Sequence, residues 1–256
     1  MIPAYDIAVH LSRDIGTRTA GSAAERRAQR YLASRYRAAG LTVESEHFAL
    51  PGGGSDRDVI GIWNGSGTCL YVLMAHVDSV ATAPGGDDTA SGSGVVAALA
   101  PRVAALRPGC NVWLVATGAE ERVFTGSPNH LGALALVRRI KREHRTRDLR
   151  VVLSIDMIGL QRRFWLQTPR ARPGASARTV LAAAKRAGVT VEWHRDSGTG
   201  NSDHREFALA GLPGALLGVW GGDEPCHHLA CDTWRRLRAP VLSAAQSVAE
   251  ELLRGA

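Results

Sequence analysis

Five short stretches of this chain carry imidazole or carboxylate side chains beside apolar runs. They are His76 and Asp78 in AHVDS (75–79), Asp87 and Asp88 before Thr-Ala-Ser-Gly, Glu120 and Glu121, Asp156 inside VVLSIDMIGL, and His227 and His228 inside CHHLAC. Imidazole nitrogen and carboxylate oxygen are donors that zinc accepts. Taken singly, each stretch has a plainer account. A histidine after a strand is commonly packed or solvated. Asp87 and Asp88 suit a turn or a helix N-cap. Glu120 and Glu121 suit a solvated loop. CHHLAC also fits a small structural zinc cluster, although such sites usually combine CxxC spacing with more distant ligands. Asp156 is harder to account for otherwise, because a charge inside an apolar run is costly unless paired or bound to a metal. Together the stretches point to one shared metal site.

The elements that must position them are legible in the hydrophobic pattern. Cys69–Ala75, Asn111–Ala116 and Leu149–Ile155 are apolar runs too short for helices, and they read as strands buried on both faces. His76 with Asp78, Glu120 with Glu121, and Asp156 follow those three runs. A fourth run, Ala215–Trp220, precedes His227 and His228. Thr42–Leu50 and Asp58–Trp63 read as further strands, separated by Gly52–Gly54, with Asn64-Gly65 as a turn signal. Helical periodicity covers Ala23–Ala39, stopped by Gly40, then Gly92–Leu106, Ser127–His144, Ala175–Ala187 and Ala239–Leu253. Pro240 suits a first turn. Pro101 should kink or split its helix near Ala97. This alternation predicts a sheet covered by helices on both faces. Ligands in such sheets collect beyond the carboxyl ends of the strands.

With 256 residues and no repeat or linker, the chain is expected to form one domain, residues 1–256. The net charge of +7 would allow nucleic-acid binding, but the arginines are scattered over helix faces without interleaved aromatics. A solvated basic surface is expected, with no nucleic-acid partner. No apolar run approaches the roughly 20 residues that span a bilayer, so no membrane partner is expected. The opening MIPAYDIAVHLSRDIG lacks the basic start and apolar stretch of a leader. A cytoplasmic location is therefore expected, although a mature exported form would read the same. Cys69 and Cys110 are expected to be buried free thiols. Cys226 and Cys231 are either a local disulfide or two thiols.

The ordered set of motifs resembles the co-catalytic zinc exopeptidases, which include bacterial leucine aminopeptidases and have glutamate carboxypeptidase II and glutaminyl cyclase as relatives. The matching stretches are AHVDS (75–79), PGGDDTASGSG (84–94), GAEERVFTGS (118–127), SIDMIG (154–159), SDHREF (202–207) and HLACDT (228–233), with RTAGSAAERRAQRYLASRYRAAGLTVE resembling the opening helix and strand. The resemblance implies an α/β fold, a three-layer α/β/α sandwich with a mixed, largely parallel central sheet. It implies two Zn2+ ions, one held by His76, Asp88 and Asp156, the other by Asp88, Glu121 and His228. Asp88 would bridge, Glu120 would be the general base, and Asp78 would orient His76. Two zinc ions against three carboxylates leave a single positive charge, which a bridging hydroxide would neutralise. The implied activity is hydrolysis of the N-terminal peptide bond of a peptide or amino-acid amide. A glutaminyl-cyclase-like enzyme would carry a long insertion after its Glu-Glu pair, whereas Gly126-Ser127 follow promptly here. A carboxypeptidase would need an arginine clamp, for which Arg122, Arg195 and Arg205 are available. A non-catalytic binding module would not need Glu120 and the full ligand set. Oligomeric state is not readable from these features.

Overall fold

The structure is a computed structural model, and it describes residues 2–161, 163–196, 201–219 and 224–256. Its strands are β1 (Thr42–Ala49), β2 (Ser55–Trp63), β3 (Leu70–His76), β4 (Asn111–Thr117), β5 (Leu149–Asp156), β6 (Phe164–Thr168), β7 (Val191–Arg195) and β8 (Ala215–Gly218). They form one sheet in the order β1-β2-β4-β3-β5-β8-β6-β7. The centre, β4-β3-β5-β8, is parallel. The β1–β2, β2–β4 and β6–β8 pairs are antiparallel, and β6–β7 is parallel. Every residue of β3 and β4 is buried, as continuous apolar runs in a covered parallel sheet require.

The helices are α1 (Ala4–Val9), α2 (Ala23–Ala38), α3 (Gly92–Ala98), α4 (Ala100–Leu106), the single turn α5 (Arg122–Thr125), α6 (Leu131–Arg142), α7 (Ala175–Arg186), α8 (His204–Leu209) and α9 (Ala239–Arg254). Strand alternation divides the core between the two faces of the sheet. Tyr71, Leu73 and Ala75 of β3 pack with α1, α2, α3, α7 and α9 residues. Leu70, Val72 and Met74 pack with Leu136 and Ile140 of α6 and Phe207 of α8. The expected three-layer α/β/α sandwich with a mixed, largely parallel sheet is what forms. Helix α2 starts on a reciprocal cap: Glu25 N–H donates to Ser22 Oγ at 3.0 Å, and Gly21 N–H donates to Glu25 Oε2 at 2.5 Å.

Several expectations shift. The helix carrying Pro101 divides at Leu99, which leaves the proline in the first turn of α4, where its missing N–H costs no helical bond. Helix α6 begins at Leu131, not Ser127, because Pro128 biases the preceding backbone away from helix. The strand expected over Ala215–Trp220 covers Ala215–Gly218, and Trp220 lies outside the described residues. The expected absence of a span-length apolar stretch also needs correcting. Gly86–Leu106 passes by length and composition. It is nonetheless broken at Asp88-Thr89 and again at Leu99, and α3 is buried throughout. Cys69 and Cys110 are not free thiols but form a disulfide. Each immediately precedes one of two paired parallel strands, with Leu70 opposite Asn111, so their Cα atoms lie 4.8 Å apart.

The contact of α3 with β5 is backbone to backbone. A Cβ on Gly92 would meet the Ile155 carbonyl oxygen at 2.0 Å, one residue before Asp156. Gly92→Ala should therefore destabilise the fold by about 1–3 kcal/mol, as overpacking does. Urea unfolding measures this, and an unchanged midpoint would refute the close approach.

Candidate metal centre

The parallel strands deliver their carboxyl ends to one edge. His76 is the last residue of β3 and Asp156 the last of β5. Asp88 sits in the turn Gly86–Ser91 that leads into α3, and Glu120 and Glu121 lie in the loop after β4. His228 lies in the loop between β8 and the 3-10 turn Trp234–Arg236. His76 Nε2 is 3.2 Å from Asp88 Oδ1 and 3.5 Å from Asp156 Oδ1. His228 Nε2 is 3.2 Å from Asp88 Oδ2 and 3.2 Å from Glu121 Oε2. A tetrahedral zinc with bonds of roughly 2.0–2.1 Å sets its donors about 3.3 Å apart, so these spacings fit two ions with Asp88 offering one oxygen to each. His76 Nε2, Asp156 Oδ1 and Glu121 Oε1 are buried without a hydrogen-bond partner, which also fits a cation.

A layer of carboxylates that accept backbone N–H groups fixes these side chains. Asp78 Oδ1 and Oδ2 accept from Glu120 N and Glu121 N at 3.1 and 3.0 Å, and Asp78 Oδ1 is 3.5 Å from His76 Nδ1. The residue expected to orient His76 therefore holds the Glu-Glu loop as well. Asp58 accepts from Gly118 N at 3.1 Å, pinning the start of that loop. Asp232 accepts from Asp87 N at 2.7 Å and Asp88 N at 3.1 Å. Asp87 turns away from the cluster and accepts from Gly159 N at 2.7 Å. The adjacent aspartates thus have different partners, Asp87 a backbone N–H and Asp88 two imidazoles. Ser202 Oγ donates to Asp156 Oδ2 at 2.9 Å, and Thr117 Oγ1 donates to Asp203. The peptide joining Asp88 to Thr89 is cis. Ala119, Met157 and His228 have positive φ of 51°, 49° and 61°, each at or beside one of the gathered residues. Non-glycine residues in that region cluster at functional sites.

Electrostatically this is a buried acidic cluster. Burial, with Glu121 and Asp156 nearby, pushes the Glu120 carboxyl well above its usual range despite His76. Burial and Asp88 push Glu121 up to about 7. Asp88 is pulled the other way: burial is outweighed by His227, His228 and His76, which hold it well below the ordinary value. His228 beside Asp88 and Glu121 is raised to about 10. A divalent cation would relieve the repulsion and displace the imidazole protons.

Sequence reasoning did not assign Asp232, Ser202 or His227. Asp232 and Ser202 lie within the quoted motifs HLACDT and SDHREF, so the signal was present without a role. Cys226 and Cys231 are bonded to each other, so CHHLAC does not offer thiolates to a metal. Asp78→Asn would set an amide N–H2 against a backbone N–H in the Glu120–Glu121 loop. Zinc affinity should fall roughly 10–100-fold. Chelator competition measures this, and an unchanged affinity would reduce Asp78 to a packing residue.

Comparison with known proteins bears on the fold and the family. Leupeptin-inactivating enzyme 1 of Streptomyces exfoliatus is 29% identical over 271 residues, covering 94% of this chain; the chain spans 59% of that protein's length. BSAP, a zinc aminopeptidase from Bacillus subtilis, superposes with a TM-score of 0.87 at 17% identity, covering 97% of this chain and 93% of that one. Bacteroides thetaiotaomicron glutaminyl cyclase superposes at 0.81 with 20% identity, covering 99% and 97%. At such identities these two structures establish the shared fold. The model of peptidase family M28 matches residues 58–253, a span that includes His76, Asp88, Glu120, Glu121, Asp156 and His228, and the chain belongs to peptidase family M28.

Proposed function

We propose that this chain is a two-zinc metalloaminopeptidase. The observation that carries the reading is the division of Asp88, whose Oδ1 and Oδ2 each lie 3.2 Å from a different imidazole, His76 and His228. His76, Asp88 and Asp156 would hold one ion, and Asp88, Glu121 and His228 the other. Bound there, the two ions would polarise the scissile carbonyl and acidify the attacking water. Glu120 takes the proton of that water and returns it to the leaving amine. Its burial suits it to hold a proton between the two events. Asp78 keeps Glu120 and Glu121 apart in direction by fixing both of their backbone N–H groups.

The carboxylates around the site favour a substrate ammonium over a substrate carboxylate. Two of the arginines available to clamp a C-terminus have other engagements. Arg122 donates to Asn201, and Arg205 donates to Pro128 O at 3.0 Å and Glu206 at 2.6 Å. Arg195 is exposed on β7, the edge strand. The disulfides Cys69–Cys110 and Cys226–Cys231 favour an oxidising compartment over the cytoplasm.

Glu120→Gln should lower turnover on the order of 100-fold or more while zinc content is retained. Glu121→Gln should lose zinc. Metal analysis beside kinetics separates the two, and the opposite pattern would exchange their roles. A free dipeptide should be cleaved, its C-terminal amide cleaved too, and its N-acetyl form left intact. Cleavage of the acetylated but not the amidated form would make the enzyme a carboxypeptidase. Cyclisation of an N-terminal glutamine in place of cleavage would make it a glutaminyl cyclase.

A further inference from the structure

We propose that His227 is a fourth protein donor to the ion held between Asp88, Glu121 and His228. This rests on the reading of the cluster as a zinc centre. The motif spacing selects His228 alone, yet His227 Nε2 lies 3.1 Å from Asp88 Oδ2, the oxygen that His228 Nε2 meets at 3.2 Å. Ligand atoms of Asp88, His227 and His228 all lie within 4.8 Å of one another. Both nitrogens stand near the roughly 3.3 Å from the shared oxygen that donors on one zinc keep.

Adjacent side chains on an extended loop point apart, so the convergence has a local cause. His228 has a φ of 61°, which turns its ring back toward its neighbour, and the two ring centroids lie 3.9 Å apart. The Cys226–Cys231 disulfide closes the loop across them. Cys226 N–H donates to Glu224 Oε1 at 2.9 Å, and Arg236 donates to the same oxygen, which fixes where the loop begins. Thr82 Oγ1 donates to the His228 carbonyl at 2.7 Å and ties the loop to the segment after β3.

The two metal positions then differ. One has His76, Asp88 and Asp156. The other has Asp88, Glu121, His228 and His227. Three protein ligands leave the open place that catalytic zinc keeps, whereas four close the shell. The four-donor position fills first, and its two imidazoles, with 35% and 36% of their side chains exposed, are the donors with room to shift for a substrate.

His227→Phe retains a ring packed against His228 and removes the nitrogen. Zinc is titrated into the metal-stripped protein against a chelator, and X-ray absorption counts imidazoles at one equivalent. The wild type should take its first zinc with two imidazoles. H227F should bind that zinc at least about tenfold more weakly, with one imidazole. Equal first-zinc affinity in the two proteins, or one imidazole in the wild type, would overturn the assignment. The imidazole count on the wild type needs no variant, so a misfolded H227F does not leave the question open. A wild type that takes up no zinc overturns the centre itself, a separate failure.

Discussion

Too many carboxylates are gathered at the carboxyl ends of the parallel strands for the protein's own cations to neutralise. Asp58, Asp78, Asp87, Asp88, Glu120, Glu121, Asp203 and Asp232 are all buried. An unpaired buried charge costs several kcal/mol even after relaxation. Arg18, fully buried nearby, donates to the carbonyls of Leu11, Gly16, Val77, Pro84 and Gly85 rather than to any of these acids. It ties the N-terminal segment to the loop after β3, and burial lowers it to about 10. Most of the acids at this edge, Asp156 included, fall into two groups. Asp58, Asp78, Asp87 and Asp232 accept backbone N–H groups and become structural. Asp88, Asp156 and Glu121 face the imidazoles of His76 and His228.

That division depends on the parallel centre of the sheet. Thr117 of β4 lies opposite His76 of β3, and Asp156 of β5 lies opposite Gly218 of β8. Neighbouring strands are about 4.8 Å apart, so side chains at their ends are within reach of one another. Gly218 contributes no side chain, and a Cβ there would meet the Asp156 carbonyl oxygen at 2.5 Å. The outer strands β1, β2, β6 and β7 extend the sheet on either side and supply none of the clustered ligands, although β2 contributes Asp58 to the support of the Glu-Glu loop.

Structural and chemical carboxylates alternate closely along the chain. Asp87 and Asp88 are adjacent, and one holds Gly159 while the other faces two imidazoles. Glu120 and Glu121 are adjacent and share one anchor, Asp78, through their backbone. Positive φ at Ala119, Met157 and His228 marks the places where the backbone turns sharply to aim these side chains.

Much of this was legible in the residues alone. The buried runs that became β3, β4 and β5 have an unmistakable apolar pattern, and the order of the motifs after them carried the family. Short or edge elements were not legible: α1, α8, β6 and β7 span only five or six residues, too few for a period to stand out. The pairing of Cys69 with Cys110 was hidden because their proximity comes from strand register, not from sequence spacing. The sequence by itself determined which donor types stand at the strand ends and in what order. Only the tertiary structure decided that Asp78 and Asp232 clamp backbone and that His227 joins His228 at Asp88. Sequence spacing fixes which residues share a strand end, but the direction of each side chain depends on backbone dihedrals and on N–H partners supplied by distant segments.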